Sequence, residues 1–348
     1  MSVVIREANL EEDQERIVHT LSKNLPPVTQ RLDRFRWLYI QNSSGQARCW
    51  LAIDSETEEC VGAAAAFPRR LIVNGQGSNA WVLGDFCLNK EYRSLGPALM
   101  LQRKCLESLH ASDNSLAYDF PSQAMMRVYT RLRIPEFGKM IRWAKPLRID
   151  HKVQDLVKIP SVAGILSKGG NFLLKSLNQS RVVSSSLQIM YSQEKFNETY
   201  SHLAQEVSGR YGICIERSAQ YLNWRYRENP LYDFEVMEAH QDEKLVGWAI
   251  YQISGEYATI VDFLTLRDQA ILSSLLCQII ERLYTCGIMT VSAPMIEGNI
   301  FTDIFRQIGF TERESVSIVV DGVGNQQTIG KEKEQGRSWF LMEGDRDS

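Results

Sequence analysis

The segment from Leu88 to Leu106 holds the residues whose types and spacing most directly imply chemistry. A run with strand character, Val82 to Leu88, leads into Asn89-Lys90-Glu91-Tyr92. Arg93-Ser94-Leu95-Gly96-Pro97-Ala98 follows, and then a long amphipathic helical pattern. A turn that feeds a helix start exposes backbone N–H groups without intrahelical acceptors, at the positive end of the helix dipole. Such a corner suits a pyrophosphate. Gly96 lets the backbone approach phosphate oxygens, and Ala98 keeps the next turn small. Pro97 has no N–H, which removes one donor. Proline is tolerated in a first helical turn, so the helix itself survives. The same spacing also describes a plain helix start with a glycine. The strand before it and the strong helix after it favour the phosphate reading.

Other chemistries find little support. The five histidines are isolated, with no HExxH-like spacing, so no metal site is expected. Seven cysteines are scattered, odd in number and without a CxxC pair; they read as reduced thiols of a cytoplasmic protein. The net charge of −3 counts against a nucleic-acid partner. The acidic N-terminus has no apolar core of a signal peptide, and no apolar stretch is long enough to span a bilayer.

The phosphate corner needs a scaffold, and the pattern supplies one. Val3 to Arg6 reads as a strand. Asn9, with Glu12 three residues on, reads as the cap of a helix carrying Leu10, Ile17, Leu21 and Leu25, stopped by Pro26 and Pro27. Trp50 to Ile53 and Cys60 to Phe67 flank a polar turn and read as a hairpin. Leu71 to Val73 and Trp81 to Leu88 read as further strands. The helix from Gly96 carries Leu99, Met100, Leu101, Cys105, Leu106 and Leu109. A strand at Leu116 to Phe120, a helix at Gln123 to Leu132 and a strand at Phe137 to Trp143 complete the first half.

A chain of 348 residues with 44% hydrophobic and 23% charged residues suits two globular units. An internal repeat supports this. Phe35-Arg36-Trp37-Leu38-Tyr39 precedes Asn42 as Leu222-Asn223-Trp224-Arg225-Tyr226 precedes Asn229, with the same Trp-to-Asn spacing. Val61-Gly62 matches Val246-Gly247, Gly84-Asp85-Phe86 matches Val261-Asp262-Phe263, and Tyr129-Thr130-Arg131-Leu132 matches Phe305-Arg306-Gln307-Ile308. The matches are collinear. The expected organisation is a domain over 1–148, a connector over 149–186 containing a short helix near Phe172 to Leu177, and a second domain over 187–345. Gly322 to Gly336 reads as a mobile polar loop, and Trp339 to Met342 as a strand returning to the second domain.

Arg93 to Ala98 resembles the CoA-binding motif of the Gcn5-related N-acetyltransferase (GNAT) superfamily, Arg/Gln-x-x-Gly-x-Gly/Ala after the fourth strand. Ile5-Arg6-Glu7-Ala8 is similar to that family's opening strand, and the hairpin ending in Val61-Gly62 to its second and third strands. Ala124 through Leu132 is similar to its Ala-x-x-x-x-Tyr-x-x-Leu pattern, although Arg133-Ile134 replaces the usual Gly-Phe. The resemblance covers roughly the first 145 residues and fades beyond them. It implies an α/β (α+β) chain of tandem GNAT folds, each a mixed, mostly antiparallel sheet flanked by helices. It further implies acetyl-CoA or another acyl-CoA as cosubstrate, without a metal, and direct transfer to a primary amine of a small molecule, sugar or peptide.

The resemblance also assigns roles. Cys87, Leu88, Arg93, Ser94, Leu95, Gly96, Pro97 and Ala98 would hold the cofactor, with a main-chain N–H near Cys87 and Leu88 polarising the thioester carbonyl. Cys87 itself is expected to be a small buried residue. Tyr129 falls where many family members protonate the departing thiolate, and a phenol can do so. Asp85 and Asp119 are candidate bases for the acceptor amine; Asp262 in the matching place of the second half favours a structural role for Asp85. Arg127, Arg131, Arg133, Lys139, Arg142, Lys145 and Arg148 form a basic run, read as a solvated face or as a contact to an anionic ligand, as are Arg69 and Arg70.

In the second half Arg267-Asp268-Gln269 replaces the glycine turn, and Phe305 replaces Tyr129. That half is expected to keep the fold without binding CoA, and to wall the acceptor site or dimerise. Two other functions fit parts of the pattern: a non-catalytic acyl-CoA-responsive protein, and a FemABX-like aminoacyl transferase of cell-envelope polysaccharide assembly, which the net negative charge disfavours.

Overall fold

The computed structural model describes residues 2–113, 116–148, 187–209, 211–266, 269–322 and 339–347. The expected connector, and all of the expected polar loop except Gly322, lie outside these residues.

The first half runs β1 (Val3–Glu7), α1 (Gln14–Asn24), α2 (Arg31–Phe35), β2 (Arg48–Asp54), β3 (Cys60–Val73), β4 (Gln76–Leu88), α3 (Leu95–Asp113), β5 (Leu116–Asp119), α4 (Gln123–Arg131) and β6 (Glu136–Pro146). A single π-helical turn, Arg36–Ile40, extends α2. The second half repeats this order as β7 (Leu187–Ser192), α5 (Glu198–Ser208), β8 (Ile213–Ile215), α6 (Ala219–Leu222), β9 (Phe234–Gln241), β10 (Lys244–Ser254), β11 (Tyr257–Thr265), α7 (Gln269–Thr285), β12 (Thr290–Ile296), α8 (Thr302–Ile308) and β13 (Thr311–Asp321). Here β8 is an insertion, and α6 again runs into a π-helical turn, Asn223–Arg227. β14 (Trp339–Phe340) closes the described chain as the expected strand, pairing with β8.

Two local expectations change. The first helix starts at Gln14 rather than near Asn9. The Asn9 side chain accepts from the N–H groups of Glu11 and Glu12, closing a turn of its own, and Asp13, paired with Arg6 at 2.6 Å, stands before the helix. The expected breaks between Phe67 and Leu71 and between Gly77 and Trp81 do not occur: β3 and β4 are continuous strands. Pro68 is accommodated because β2 stops opposite Ala66 and β8 takes up β3 only from Leu71. Its missing N–H therefore falls where β3 has no partner on that side.

The fourteen described strands form one mixed sheet rather than two. Its path is β1-β2-β3-β4-β5-β13-β6-β12-β11-β10-β9-β7, which reads the same backwards when each strand is exchanged for its counterpart in the other half. The last strand of each half is bonded into the other: β13 pairs with β5, β6 pairs with β12, and β13 and β6 pair with each other at the centre. Ala63, Ala65 and Phe67 of β3 face α1 and α2, while Val61, Ala64 and Ala66 face α3 and α4 through Leu101, Cys105, Leu109 and Val128. A strand buried on both faces is apolar throughout, as the run Val61 to Phe67 is.

Candidate active site

β4 and β5 run parallel but pair only where Ala80, Trp81 and Val82 meet Leu116, Ala117 and Tyr118. Beyond Val82 the strands diverge. From Leu83 to Leu88, β4 keeps β3 on one side and has no strand on the other among the described residues. It therefore presents a strand edge to a cleft of about 1010 Å³. Asp85 and Phe86 together oppose the single residue Ala64, a β-bulge, and Asp85 takes the left-handed conformation at φ +49°. A bulge leaves one backbone unit out of the ladder and re-aims its neighbours. It lies beside Cys87 and Leu88, where polarisation of a thioester was expected.

The predicted phosphate corner closes one end of this cleft. A 3₁₀ turn, Lys90–Tyr92, leads to α3, which begins at Leu95. The N–H groups of Leu95 and Gly96 fall in the first turn, where helix geometry provides no acceptor. A Cβ placed on Gly96 would meet nothing within 4 Å, so the space outside the corner is open. Arg93, Ser94, Leu95 and Ala98 line the cleft. The Arg93 side chain braces the corner: its Nε donates to the Leu88 carbonyl at 2.9 Å and its Nη2 to Asn24 Oδ1 at 3.3 Å. The residues present suit a nucleotide-linked pyrophosphate through main-chain donors and the helix dipole, with one donor fewer because of Pro97.

The expected acid–base residues occupy different environments. Asp85 is buried and committed. Its Oδ2 pairs with Arg34 at 2.7 Å and accepts from the Tyr39 hydroxyl at 2.8 Å. Arg34 is buried, yet Asp85 holds its guanidinium firmly protonated. The second half repeats the pattern, with the Tyr226 hydroxyl donating to Asp262 at 3.0 Å and Arg217 pairing with it at 2.9 Å. Both carboxylates thus tie the π-turn to the bulged strand, and Asp85 also lines the cleft.

Asp119, at the end of β5, is half-buried on the cleft wall. Burial pushes its carboxyl up to about 7, the hydrogen bond from Tyr129 opposes the rise, and the Asp347 carboxylate adds to it. Tyr129 is fully buried. Its hydroxyl donates to Asp119 at 2.6 Å and accepts from Gln102 Nε2 at 3.1 Å. Asp119 and Gln102 line the cleft, so Tyr129 addresses it through them. Ser122 caps α4 by accepting from Met125 N–H at 3.2 Å, which fixes the helix that carries Tyr129. Cys87 is buried on the cleft wall, and burial pushes its thiol up to about 12, which disfavours the reactive thiolate.

The basic run disperses. Arg127 lines the cleft; Arg142 pairs with Glu314, and Lys145 is buried and donates to the Ile308 carbonyl. Arg69 and Arg70 line a different cleft of about 650 Å³ and do not reach the corner. Sequence reasoning missed Gln102 and Asp347. Gln102 was detectable: it interrupts the apolar stripe formed by Ala98, Leu101, Cys105 and Leu109, and a buried amide needs a partner. Asp347 carries no local signal, because only the tertiary course of the 339–347 segment brings it to the cleft.

The family model for the acetyltransferase (GNAT) domain matches residues 5–132. A comparison with curated protein sequences gives no match. Among solved structures, the chain is similar to a probable N-acyltransferase of unknown function from Enterococcus faecalis, at 13% identity and TM-score 0.67 over 93% of this chain and 73% of that one. A GCN5-related N-acetyltransferase from Anabaena variabilis matches at 14% identity and TM-score 0.67, over 92% and 73%. Saccharomyces cerevisiae N-myristoyltransferase, solved with bound myristoyl-CoA, matches at 12% and 0.58, over 92% and 78%. At these identities the likeness shows the fold. No helix among the described residues is long and apolar enough to cross a membrane, and no cluster of metal-ligating side chains occurs among them. The family match, the splayed strands and the helix start at Leu95 together identify residues 5–132 as an acetyltransferase domain of the GNAT family.

Proposed function

We propose that the chain transfers an acyl group, acetyl in the simplest case, from acyl-CoA to a primary amine by direct attack. The observation that carries this reading is the open gap between β4 and β5 beside the start of α3. The amides of Leu95 and Gly96, with Arg93, Ser94 and Ala98 around them, receive the pyrophosphate, and Pro97 contributes shape without a donor. The unpaired edge of β4 receives the amide-bearing arm of the cofactor. The bulge at Asp85 and Phe86 sets the backbone near Cys87 and Leu88 to polarise the thioester carbonyl.

Asp119 serves as the base. An amine must lose a proton as it attacks, and a carboxylate that titrates near 7 is matched to that task. The amine nitrogen bonds to the carbonyl carbon, a tetrahedral intermediate forms, and the C–S bond breaks as the thiolate leaves. Once protonated, Asp119 can return the proton to the thiolate, and the Tyr129 hydroxyl, bonded to it at 2.6 Å, supports both charge states. Asp85 holds the bulge and takes no proton. The second half is a GNAT-like duplicate that has lost the phosphate corner.

The test is isothermal titration of the full chain with acetyl-CoA, followed by thiol release across a panel of primary amines. Binding at one site per chain, with thiol release for at least one amine class, supports the reading. Binding without release across the panel supports an acyl-CoA-responsive protein instead, and no binding removes both.

A further inference from the structure

The second half contains the counterpart of the cofactor gap, and it is closed. β11 and β12 pair only from Tyr257 to Thr259 and from Thr290 to Ser292, as β4 and β5 pair only at their starts. The 339–347 segment enters the space where they diverge. Trp339 and Phe340 pair with β8, the Ile296 N–H donates to the Leu341 carbonyl at 3.1 Å, and Met342 bridges to Met295. Phe340, Leu341 and Met342 are at most 1% exposed. The Phe340 ring lies 5.4 Å from Phe263, which lies 5.9 Å from Phe305, the residue standing where the first half has Tyr129.

The segment then crosses to the first half. Asp345 pairs with buried Arg217 at 2.9 Å and accepts from the Met342 N–H at 2.8 Å. Arg225 Nε donates to the Gly344 carbonyl at 2.9 Å, and the Tyr118 hydroxyl, from β5, donates to the Asp345 carbonyl at 3.0 Å. Beyond this anchor Arg346 and Asp347 line the first cleft. Arg346 lies over the Phe120 ring at 5.5 Å, and Asp347 sits so close to Gly84 that a Cβ there would come within 2.1 Å of Asp347 Oδ2.

We infer that the 339–347 segment is a built-in occupant of the second cleft, and that its seat there positions Arg346 and Asp347 as a wall of the first. One piece of chain thereby fills the gap of the second half and completes the cleft of the first. Small residues at both crossings fit this role. A side chain at Gly84 would strike Asp347, and one at Gly344 would come within 2.0 Å of the Tyr226 hydroxyl. The charged or titratable groups facing Asp119 are Tyr129 from α4, Cys105 from α3, and Asp347 and Arg346 from the segment. Because Asp347 opposes ionisation of Asp119, Asp119 reports on whether the wall is in place.

The test uses the full chain and two variants, Gly344→Val to unseat the segment and Asp347→Asn to alter the wall alone. Hydrogen exchange should show 339–347 protected in the parent and in Asp347→Asn, and exchanging at least about tenfold faster in Gly344→Val. A carboxyl-carbon NMR titration, assigned with Asp119→Asn, should show the Asp119 midpoint falling by about one pH unit in both variants. Free exchange of 339–347 in the parent overturns the seat. A released segment with an unmoved Asp119 midpoint overturns the wall. If Gly344→Val does not fold, the Asp347→Asn midpoint decides alone. The inference takes the first cleft as the acyl-transfer site, but neither readout uses the cofactor. Acetyl-CoA titration of the same samples therefore reports separately on that reading.

Discussion

Trp37 and Trp224 stack with ring centroids 5.0 Å apart, and each indole N–H donates to the other's backbone carbonyl, at 2.8 Å from Trp37 and 3.1 Å from Trp224. The two residues are the matching tryptophans of the internal repeat, each in a π-helical turn. Their contact is reciprocal, as a pair lying on the relation that exchanges the halves must be. Each turn also carries the tyrosine that holds the bulged strand of its own half, Tyr39 on Asp85 and Tyr226 on Asp262. The joint between halves and the scaffold of the cleft are therefore one structure.

Trp37→Ala should cost about 3–5 kcal/mol, the range for truncating a buried large aromatic residue. Trp224→Ala should cost as much, and the double variant less than the sum, since each change already removes the ring on which the other stacks. Urea denaturation of the four proteins measures this. Additive losses would show that the rings do not support one another.

Gly96→Ala separates the cofactor corner from the fold. Nothing lies within 4 Å of the added methyl, and alanine is the better helix former, so the melting temperature should hold or rise slightly. The methyl would enter the proposed path of the pyrophosphate, so acetyl-CoA affinity should fall about tenfold, or ~1.4 kcal/mol. Calorimetry and thermal melts on the same samples check both halves of the expectation.

Asp119 predicts a pH dependence whose sign is fixed. Its carboxyl titrates near 7 in the folded chain against 3.8 ordinarily. Acting as a base it must be ionised, so kcat/KM should rise with pH through about 7, and Asp119→Asn should lose that limb with most of the rate. For stability the sign is opposite. Between 3.8 and about 7 the folded chain binds a proton that the unfolded chain releases, so this group's contribution falls as pH rises. Asp119→Asn should therefore show a flatter melting profile across that window and a melting temperature at pH 8 no lower than the parent.

Tyr129→Phe removes the hydrogen bond that favours the ionised form of Asp119. The acid limb should move to higher pH, and kcat at neutral pH should drop about tenfold as less Asp119 is ionised, short of the roughly 10²–10⁴-fold supplied by a group that itself transfers the proton. Acetyl-CoA affinity should be unchanged, because the hydroxyl does not line the cleft. An unmoved limb would remove Tyr129 from the proton path.

What could be read from the residues was local. The strand, the turn at Arg93 to Ala98 and the helix behind it follow from nearest neighbours in the chain, and the repeat around Trp37 and Trp224 follows from pattern matching. The partners of Tyr129, Asp119 and Gln102, were not legible, because an amphipathic helix specifies a face and not what covers it. The insertion of Thr311–Asp321 between β5 and β6 was not legible either, since strand pairing over such sequence distances depends on register between surfaces that are alike in composition. The partners of Asp85, Arg34 and Tyr39, were not legible because they lie far away in sequence.

The most direct measurement is a crystal structure of the full chain with CoA. The account predicts the pyrophosphate within hydrogen-bonding reach of the Leu95 and Gly96 amides, and the cofactor arm lying along β4 in the gap that opens beyond Val82. A pyrophosphate bound elsewhere, or CoA in the gap between β11 and β12 with the 339–347 segment displaced, would contradict it.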